Sequence, residues 1–164
     1  MQLPYRKPTK FSVMQLDPIM SQEKFDELSR KLAKLKADRP KAAADVSRLA
    51  ELGDFSENVE YQLAKGRLRK INENILIIET HINQATVIQK TNTEVVEIGS
   101  IVTVEVDGKE KTYEILGSSE TNPTKGIISH TSPIGAALIG HRVGDVVSIE
   151  IAKNKKGYLI KNIK

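Results

Sequence analysis

Two heptad patterns separated by a short turn constrain this chain more than any other feature. Apolar residues recur at alternating steps of three and four over residues 25–49 and again over residues 61–85. Neither helix can bury such a narrow stripe alone, so we expect the two helices to pack on each other as a coiled coil. Residues 50–56 between them contain Gly53, and so short a turn permits only an antiparallel hairpin.

The amino-acid composition excludes several classes of function for this chain. The chain has 164 residues and no cysteine, which excludes disulfides, thiolate nucleophiles and cysteine-ligated zinc. The lack of cysteine fits a reducing cytosol, so we expect a cytoplasmic protein. No apolar run reaches the roughly 20 residues that a spanning helix needs, which excludes a transmembrane protein, and we expect no membrane partner. The net charge of +4 is spread along the chain, and this gives little support to duplex DNA binding.

The hydrophobic period changes after the second heptad pattern. Alternating residues on both sides of Asp107-Gly108 predict a β-hairpin, and a turn at 154–156 separates two further strands. Ser132-Pro133 before an apolar stretch that ends at Gly140 predicts one short helix. The predicted strands cover residues 101–106, 111–116, 127–129, 146–151 and 157–163, in a small, mostly antiparallel β domain.

The chain therefore has an α+β organisation. Residues 1–19 carry three prolines and no periodicity, and are predicted to form a poorly ordered extension. Residues 20–89 are predicted to form the long antiparallel coiled-coil hairpin. A linker follows at residues 90–96, and residues 97–164 form the β domain.

The turn of the hairpin is acidic. Residues 51–60 hold four carboxylates and no cation, and Asp54 and Glu57 stand three residues apart at the start of the second helix. Two carboxylates are suitable ligands for Mg²⁺, although a partner must complete the coordination shell. The same Asp-x-x-Glu spacing is a helix capping box, and the spacing alone favours the cap. Phe55 favours a functional site, because an aromatic ring at the tip has no core to join.

A basic run follows the acidic turn. Residues 65–70 contain four cations and no anion, namely Lys65, Arg67, Arg69 and Lys70. A solvated helix face and a phosphate-binding surface explain this composition equally well. His81, His130 and His141 have no neighbours at metal-ligand spacing, and no nucleophile with a base partner is recognisable. The sequence is therefore not that of an independent enzyme.

Two motifs in this order resemble the bacterial transcript-cleavage factors of the Gre family. The first is GDFSENVEY at residues 53–61 and the second is SPIGAALIG at residues 132–140. The resemblance covers residues 19–164. It implies an N-terminal antiparallel coiled coil and a C-terminal domain similar to FK506-binding proteins. It also implies a monomer that binds RNA polymerase, enters its secondary channel and has no activity alone.

The resemblance further implies roles for single residues. Asp54 and Glu57 match the family's catalytic carboxylates, which hold a Mg²⁺ ion jointly with RNA polymerase so that backtracked nascent RNA is cut at its 3′ end. The basic residues named above match the side that faces the RNA. The remaining implied contacts are at the tip and at the polymerase rim: Phe55, Asn58, Glu60 and Tyr61 at the tip, and Ser132, Pro133 and Ile134 at the rim.

Two other hypotheses remain open on the sequence. A channel-binding inhibitor of the same architecture would block nucleotide addition without productive cleavage, and the intact Asp54-x-x-Glu57 pair argues against it. A coiled-coil holdase for unfolded chains would need an apolar tip, whereas this tip offers one Phe among four carboxylates. Ala50 stands where some relatives carry a cation, which bears on the strength of the RNA-facing surface.

Overall fold

The computed structural model describes residues 16–51, 59–89, 94–151 and 154–164. The chain divides into two compact units. The hairpin unit contains Asp26–Gln84, and the β unit contains Asp17–Phe25 together with Ala85–Lys164.

The hairpin unit consists of long helices with a shared apolar seam. Helix α1 spans Gln22–Ala50 and helix α2 spans Val59–Asn83. An ion pair joins Lys36 Nζ of α1 to Glu79 Oε1 of α2 at 2.7 Å. The seam positions that the heptads predict are buried or half-buried: Phe25, Leu28, Leu32, Leu35, Ala42, Val46 and Leu49 on α1, and Tyr61, Ala64, Leu68, Ile71, Ile75, Ile78 and Ile82 on α2.

The helices confirm the period read from the sequence. Pro40 lies inside α1, and the helix continues past it. Because proline has no N–H, one backbone hydrogen bond is lost there. No described helix combines the length and the apolar character needed to cross a membrane.

The β unit contains two short strands, Ile19–Met20 (β1) and Thr86–Val87 (β2), and five longer ones: Ile101–Val106 (β3), Lys109–Leu116 (β4), Ile127–Ser129 (β5), Val146–Ile151 (β6) and Asn154–Ile163 (β7). Among the described residues, the last five form one sheet in the order β5-β4-β3-β7-β6. All neighbouring strands of this sheet are antiparallel except β4 and β5, which are parallel. Strands β3 and β4 meet at Asp107 and Gly108, which both have positive φ, as the predicted tight turn requires.

Alternate residues of the sheet form the core of the β unit. Helix α3, Pro133–Leu138, covers them, and its Leu138 is fully buried. Two short 3-10 helices, Ser118–Glu120 and Pro123–Lys125, lie between β4 and β5. The sheet residues with the smallest exposure are Val102, Val104, Ile115 and Ile160.

The structure differs from the sequence predictions at three places, one of which is the predicted linker at residues 90–96, where Val96 is fully buried in the core of the β unit. Residues 17–19 were predicted to belong to the poorly ordered extension, but Ile19–Met20 (β1) pairs in parallel with Thr86–Val87 (β2), and the neighbouring Met20 is fully buried. Residues 154–156 were expected to form a turn but belong to β7, where Lys155 pairs with Glu150. Strand pairing satisfies more backbone groups there than the predicted turn would.

Candidate metal and nucleic-acid site

The acidic turn connects the two long helices in the chain. Helix α1 ends at Ala50 and α2 begins at Val59. The predicted residues Asp54, Phe55, Glu57 and Asn58 lie outside the described residues, so the metal-ligand and capping-box interpretations both stay predictions. The part of the chain that the structure describes contains no cluster of three or more metal-ligating side chains.

The first turn of α2 brings two predicted tip residues next to the basic run. Glu60 is exposed, whereas Tyr61 is half-buried in the seam. The Nζ atom of Lys65 lies 5.9 Å from the centroid of the Tyr61 ring, four residues earlier on the same face. This distance is at the outer limit of a cation–π contact, which leaves the charge of the lysine in place.

The four cations of the basic run are all exposed. None of them is in an ion pair with a carboxylate among the described residues. At about 100° per residue, Lys65 and Arg69 lie on one side of α2, and Arg67 and Lys70 lie on the other. The strip between the two pairs is centred on Gly66, opposite the seam. The run therefore occupies two flanks of the helix, which composition alone does not reveal.

The second motif forms the start of α3. Ser132 is the N-cap, and its Oγ accepts a hydrogen bond from the N–H of Gly135 at 3.0 Å. Pro133 occupies the first turn, where no N–H is needed, and Ile134 packs against the core. These side chains therefore have folding roles. The contact of Ser132, Pro133 and Ile134 with the polymerase stays a prediction. The exposed residues of α3 that a partner could contact are Pro133 and Ala136.

Residues 17–21 are held in the β unit by hydrogen bonds that the sequence did not predict. Asp17 accepts hydrogen bonds from the backbone N–H of Ser118 at 2.7 Å and of Ile19 at 3.0 Å. Ser21 is instead a donor: Glu120 accepts a hydrogen bond from the N–H of Ser21 at 2.8 Å and another from the Ser21 hydroxyl. Ser21 in turn caps α1, because its hydroxyl accepts a hydrogen bond from the N–H of Lys24 at 3.1 Å.

Close packing and charge also determine the surroundings of residues 17–21. An ideal Cβ on Gly117 would stand 1.8 Å from the carbonyl oxygen of Ile19, so only glycine permits this approach. Burial acts to raise the pKa of Asp17, but the hydrogen bonds from Ser118 and Ile19 and the nearby His130 outweigh it and lower the pKa. The His130 Nδ1 lies 3.6 Å from the Asp17 carboxylate. A signal was present in the sequence, since Asp17-Pro18 and Gly117 are residues typical of close turns.

The described geometry defines a class of protein that presents charged residues on a helical hairpin and carries a separate β unit. Family models match both parts: "Transcription elongation factor, N-terminal" at residues 18–87 and "Transcription elongation factor, GreA/GreB, C-term" at residues 90–164. The chain belongs to the GreA/GreB family of transcription elongation factors.

Individual relatives agree with the family models. The chain is 42% identical to transcription elongation factor GreA of Thermomicrobium roseum, over 71% of this chain and 76% of that protein. It is 39% identical to GreA of Geobacillus kaustophilus, over 80% and 86% of the two chains. The crystal structure of GreA factor homolog 1 of Thermus thermophilus is 27% identical and covers 88% of this chain and 97% of its own, with a TM-score of 0.41. At that score the structural likeness adds nothing to the family assignment.

Proposed function

We propose that this chain binds RNA polymerase and stimulates the polymerase to cleave backtracked RNA, with the hairpin tip acting inside the secondary channel. The observation that carries the proposal is the position of Asp54 and Glu57 in the segment that joins α1 to α2. A hairpin of two long helices is a suitable device for bringing carboxylates to a deep site. Family membership supports the same function.

The chemistry of the two carboxylates fits a shared Mg²⁺ ion. Hard oxygen ligands suit this cation, which commonly takes one or two carboxylates and keeps water in its other positions. Such an ion, when bound, promotes phosphodiester hydrolysis by activating water and stabilising charge on the leaving oxygen. Asp54 and Glu57 would supply ligands from this chain, and RNA polymerase would supply the others. The protein alone is therefore expected to cleave no RNA.

The first experiment compares stimulated cleavage in halted, backtracked elongation complexes. Asp54→Asn is the informative variant, because asparagine caps a helix about as well as aspartate but lacks its charge. We expect this variant to lose stimulated cleavage and to keep both its helicity and its affinity for the polymerase. Glu51→Gln is the matched control, since Glu51 is an exposed acid just before the segment that carries the predicted carboxylates. Its cleavage rate should equal that of the wild type.

Two results would overturn the proposal. If Asp54→Asn cleaves as fast as the wild type while Asp54→Ala unfolds more easily, then Asp54 is a helix cap. If the wild type binds the polymerase and slows nucleotide addition without cleavage, then the chain is a channel inhibitor.

A further inference from the structure

A cavity of about 310 Å³ opens on the β unit, away from the acidic turn and the basic run. It is lined by residues 21–23 at the start of α1, by Glu114 and Leu116 of β4, and by Ile88 and Gly99. All of these residues belong to the β unit, so the cavity lies within one compact unit. Its volume is at the lower end of the range for ligand-binding pockets.

The apolar wall of the cavity has a defined shape. The N–H groups of Ile88 and Gly99 donate hydrogen bonds to the carbonyl oxygens of Met20 at 2.9 Å and Ile115 at 2.7 Å. Gly99 has a φ of 101°, and an ideal Cβ there would lie 2.6 Å from Cγ2 of Ile88. No side chain can therefore be placed at Gly99 without displacing Ile88. Leu116 next to them is 7% exposed.

The charged residues that line the cavity are both acidic. Glu23 lies in the first turn of α1 and Glu114 in β4, and no described lysine, arginine or histidine lines the cavity with them. Neither carboxylate is in an ion pair within the described part of the chain. An anionic ligand would be repelled. A lysine side chain could instead lay its apolar stem on Ile88 and Leu116 and bring its ammonium group to a carboxylate.

The chain carries suitable cations just before the β unit begins. Residues 1–16 contain no carboxylate and three cations: Arg6, Lys7 and Lys10. Asp17 is held in the β unit by the hydrogen bonds described above, and Ser21 at the cavity is four residues further on. Four residues span at most about 14 Å, whereas the seven residues from Lys10 to Asp17 can span about 24 Å. Lys7 and Lys10 can therefore both reach the cavity.

We propose that this cavity is a docking site for residues 1–15 of the same chain and that it binds the side chain of Lys7 or Lys10. Complementary charge and the length of chain that precedes Asp17 carry the proposal. A segment joined to the β unit at Asp17 acts at an effective concentration of about millimolar, which favours it over a free partner. The docking is independent of the predicted tip carboxylates and of RNA cleavage.

Carbodiimide crosslinking of the full chain tests the proposal, because this reagent joins an amine directly to a carboxylate in contact with it. Mass spectrometry should find Lys7 or Lys10 joined to Glu23 or Glu114 within one chain. We expect Glu114→Gln to lower the yield of the Glu23 crosslink roughly threefold, because the lysine loses one of its carboxylate partners. Glu110→Gln, which changes an exposed acid of β4 outside the cavity, is the control and should leave that yield unchanged.

A second measurement uses no reagent. The methyl resonances of Ile88 and Leu116 in the full chain should shift when Lys7→Gln and Lys10→Gln are combined, because the lysine stem leaves the apolar wall. Lys34→Gln, at an exposed position of α1, is the matched control and should shift neither resonance. The combined lysine variant leaves every described residue unchanged, so it remains informative if Glu114→Gln unfolds.

Three results would overturn the proposal. The first is the absence of the crosslinks together with unchanged methyl resonances. The second is an equal yield of crosslinks to Glu110 and Glu150, which would show that residues 1–15 have no preference for the cavity. The third is crosslinking only between chains, with a yield that falls on dilution, which would assign the cavity to a second copy.

Discussion

The β unit and the hairpin unit use the same residue types in different ways. In the β unit, Ile115 and Ile160 are at most 1% exposed, and Gly117 and Gly135 stand where a carbonyl oxygen excludes any side chain. In the hairpin unit, many seam residues are only half-buried, and Gly66 has open space around it. Folding thus explains these four residues of the β unit. The hairpin carries residues that its own fold does not require, and these are the candidates for function.

The largest expected difference concerns the two apolar cores. Ile160→Ala should lower the free energy of unfolding of the β unit by about 2–5 kcal/mol, because it leaves a cavity in a fully buried core. Leu68→Ala in the half-buried seam should cost roughly half as much, since less apolar area is withdrawn from water there. Urea unfolding checks both values. Amide exchange of β3 reports the unfolding of the β unit, and helical circular dichroism reports that of the hairpin unit. Equal losses of unfolding free energy would contradict the claim that the core of the β unit is more tightly packed than the seam of the hairpin unit.

The next effect should come from a glycine that the fold requires. A Cβ on Gly135 would lie 2.2 Å from the carbonyl oxygen of Ser129. Gly135→Ala should therefore destabilise the β unit by about 1–3 kcal/mol, the usual range for overpacking. Ala136→Ser, at the exposed neighbouring position of α3, serves as the control in the same thermal unfolding experiment. An unchanged melting temperature for Gly135→Ala would contradict the close approach.

The hydrogen bonds of residues 17–21 predict a pH-dependent loss of stability, of similar or smaller size. Asp17→Ala leaves the N–H of Ser118 without its acceptor, which should cost about 1–3 kcal/mol at neutral pH. The folded pKa of Asp17 lies below its ordinary value of 3.8, so the unfolded chain takes up the proton first as the pH falls. The stability contribution is therefore complete above about pH 5 and is lost as the pH falls below 3.8 through the folded pKa.

Unfolding curves of the wild type and Asp17→Ala between neutral and acidic pH check this prediction. The difference between the two proteins should shrink as Asp17 becomes protonated. Glu150→Gln, which alters an exposed acid of β6, should show no such convergence. A difference that stays constant down to the lowest pH would show that the charge of Asp17 does not contribute.

The smallest effect has the opposite sign. Gly66→Ala should stabilise the hairpin unit by about 0.5–1 kcal/mol, because alanine is the better helix former and its methyl group meets no described neighbour. Thermal unfolding followed by helical circular dichroism measures the gain. Destabilisation would reveal a packing requirement at Gly66 and would remove the contrast with Gly135.

The sequence predicted the elements that depend on local patterns. The heptads predicted α1, α2 and their seam, and Asp107-Gly108 predicted the turn between β3 and β4. The contacts of residues 17–21 were missed because Ser118 and Glu120, the partners of Asp17 and Ser21 respectively, are about 100 residues away in the chain. The exposed position of Gly66 was also missed, although an isolated glycine in a helical pattern was a visible signal. The roles of Asp54 and Glu57 stay predictions from sequence and family resemblance.

The most direct test of the account is the rate of RNA cleavage in backtracked elongation complexes with the wild type and with Asp54→Asn at equal polymerase occupancy. We predict fast cleavage with the wild type and only the polymerase's own slow cleavage with the variant. Equal rates for the two proteins, or binding of both without any stimulated cleavage, would contradict the account.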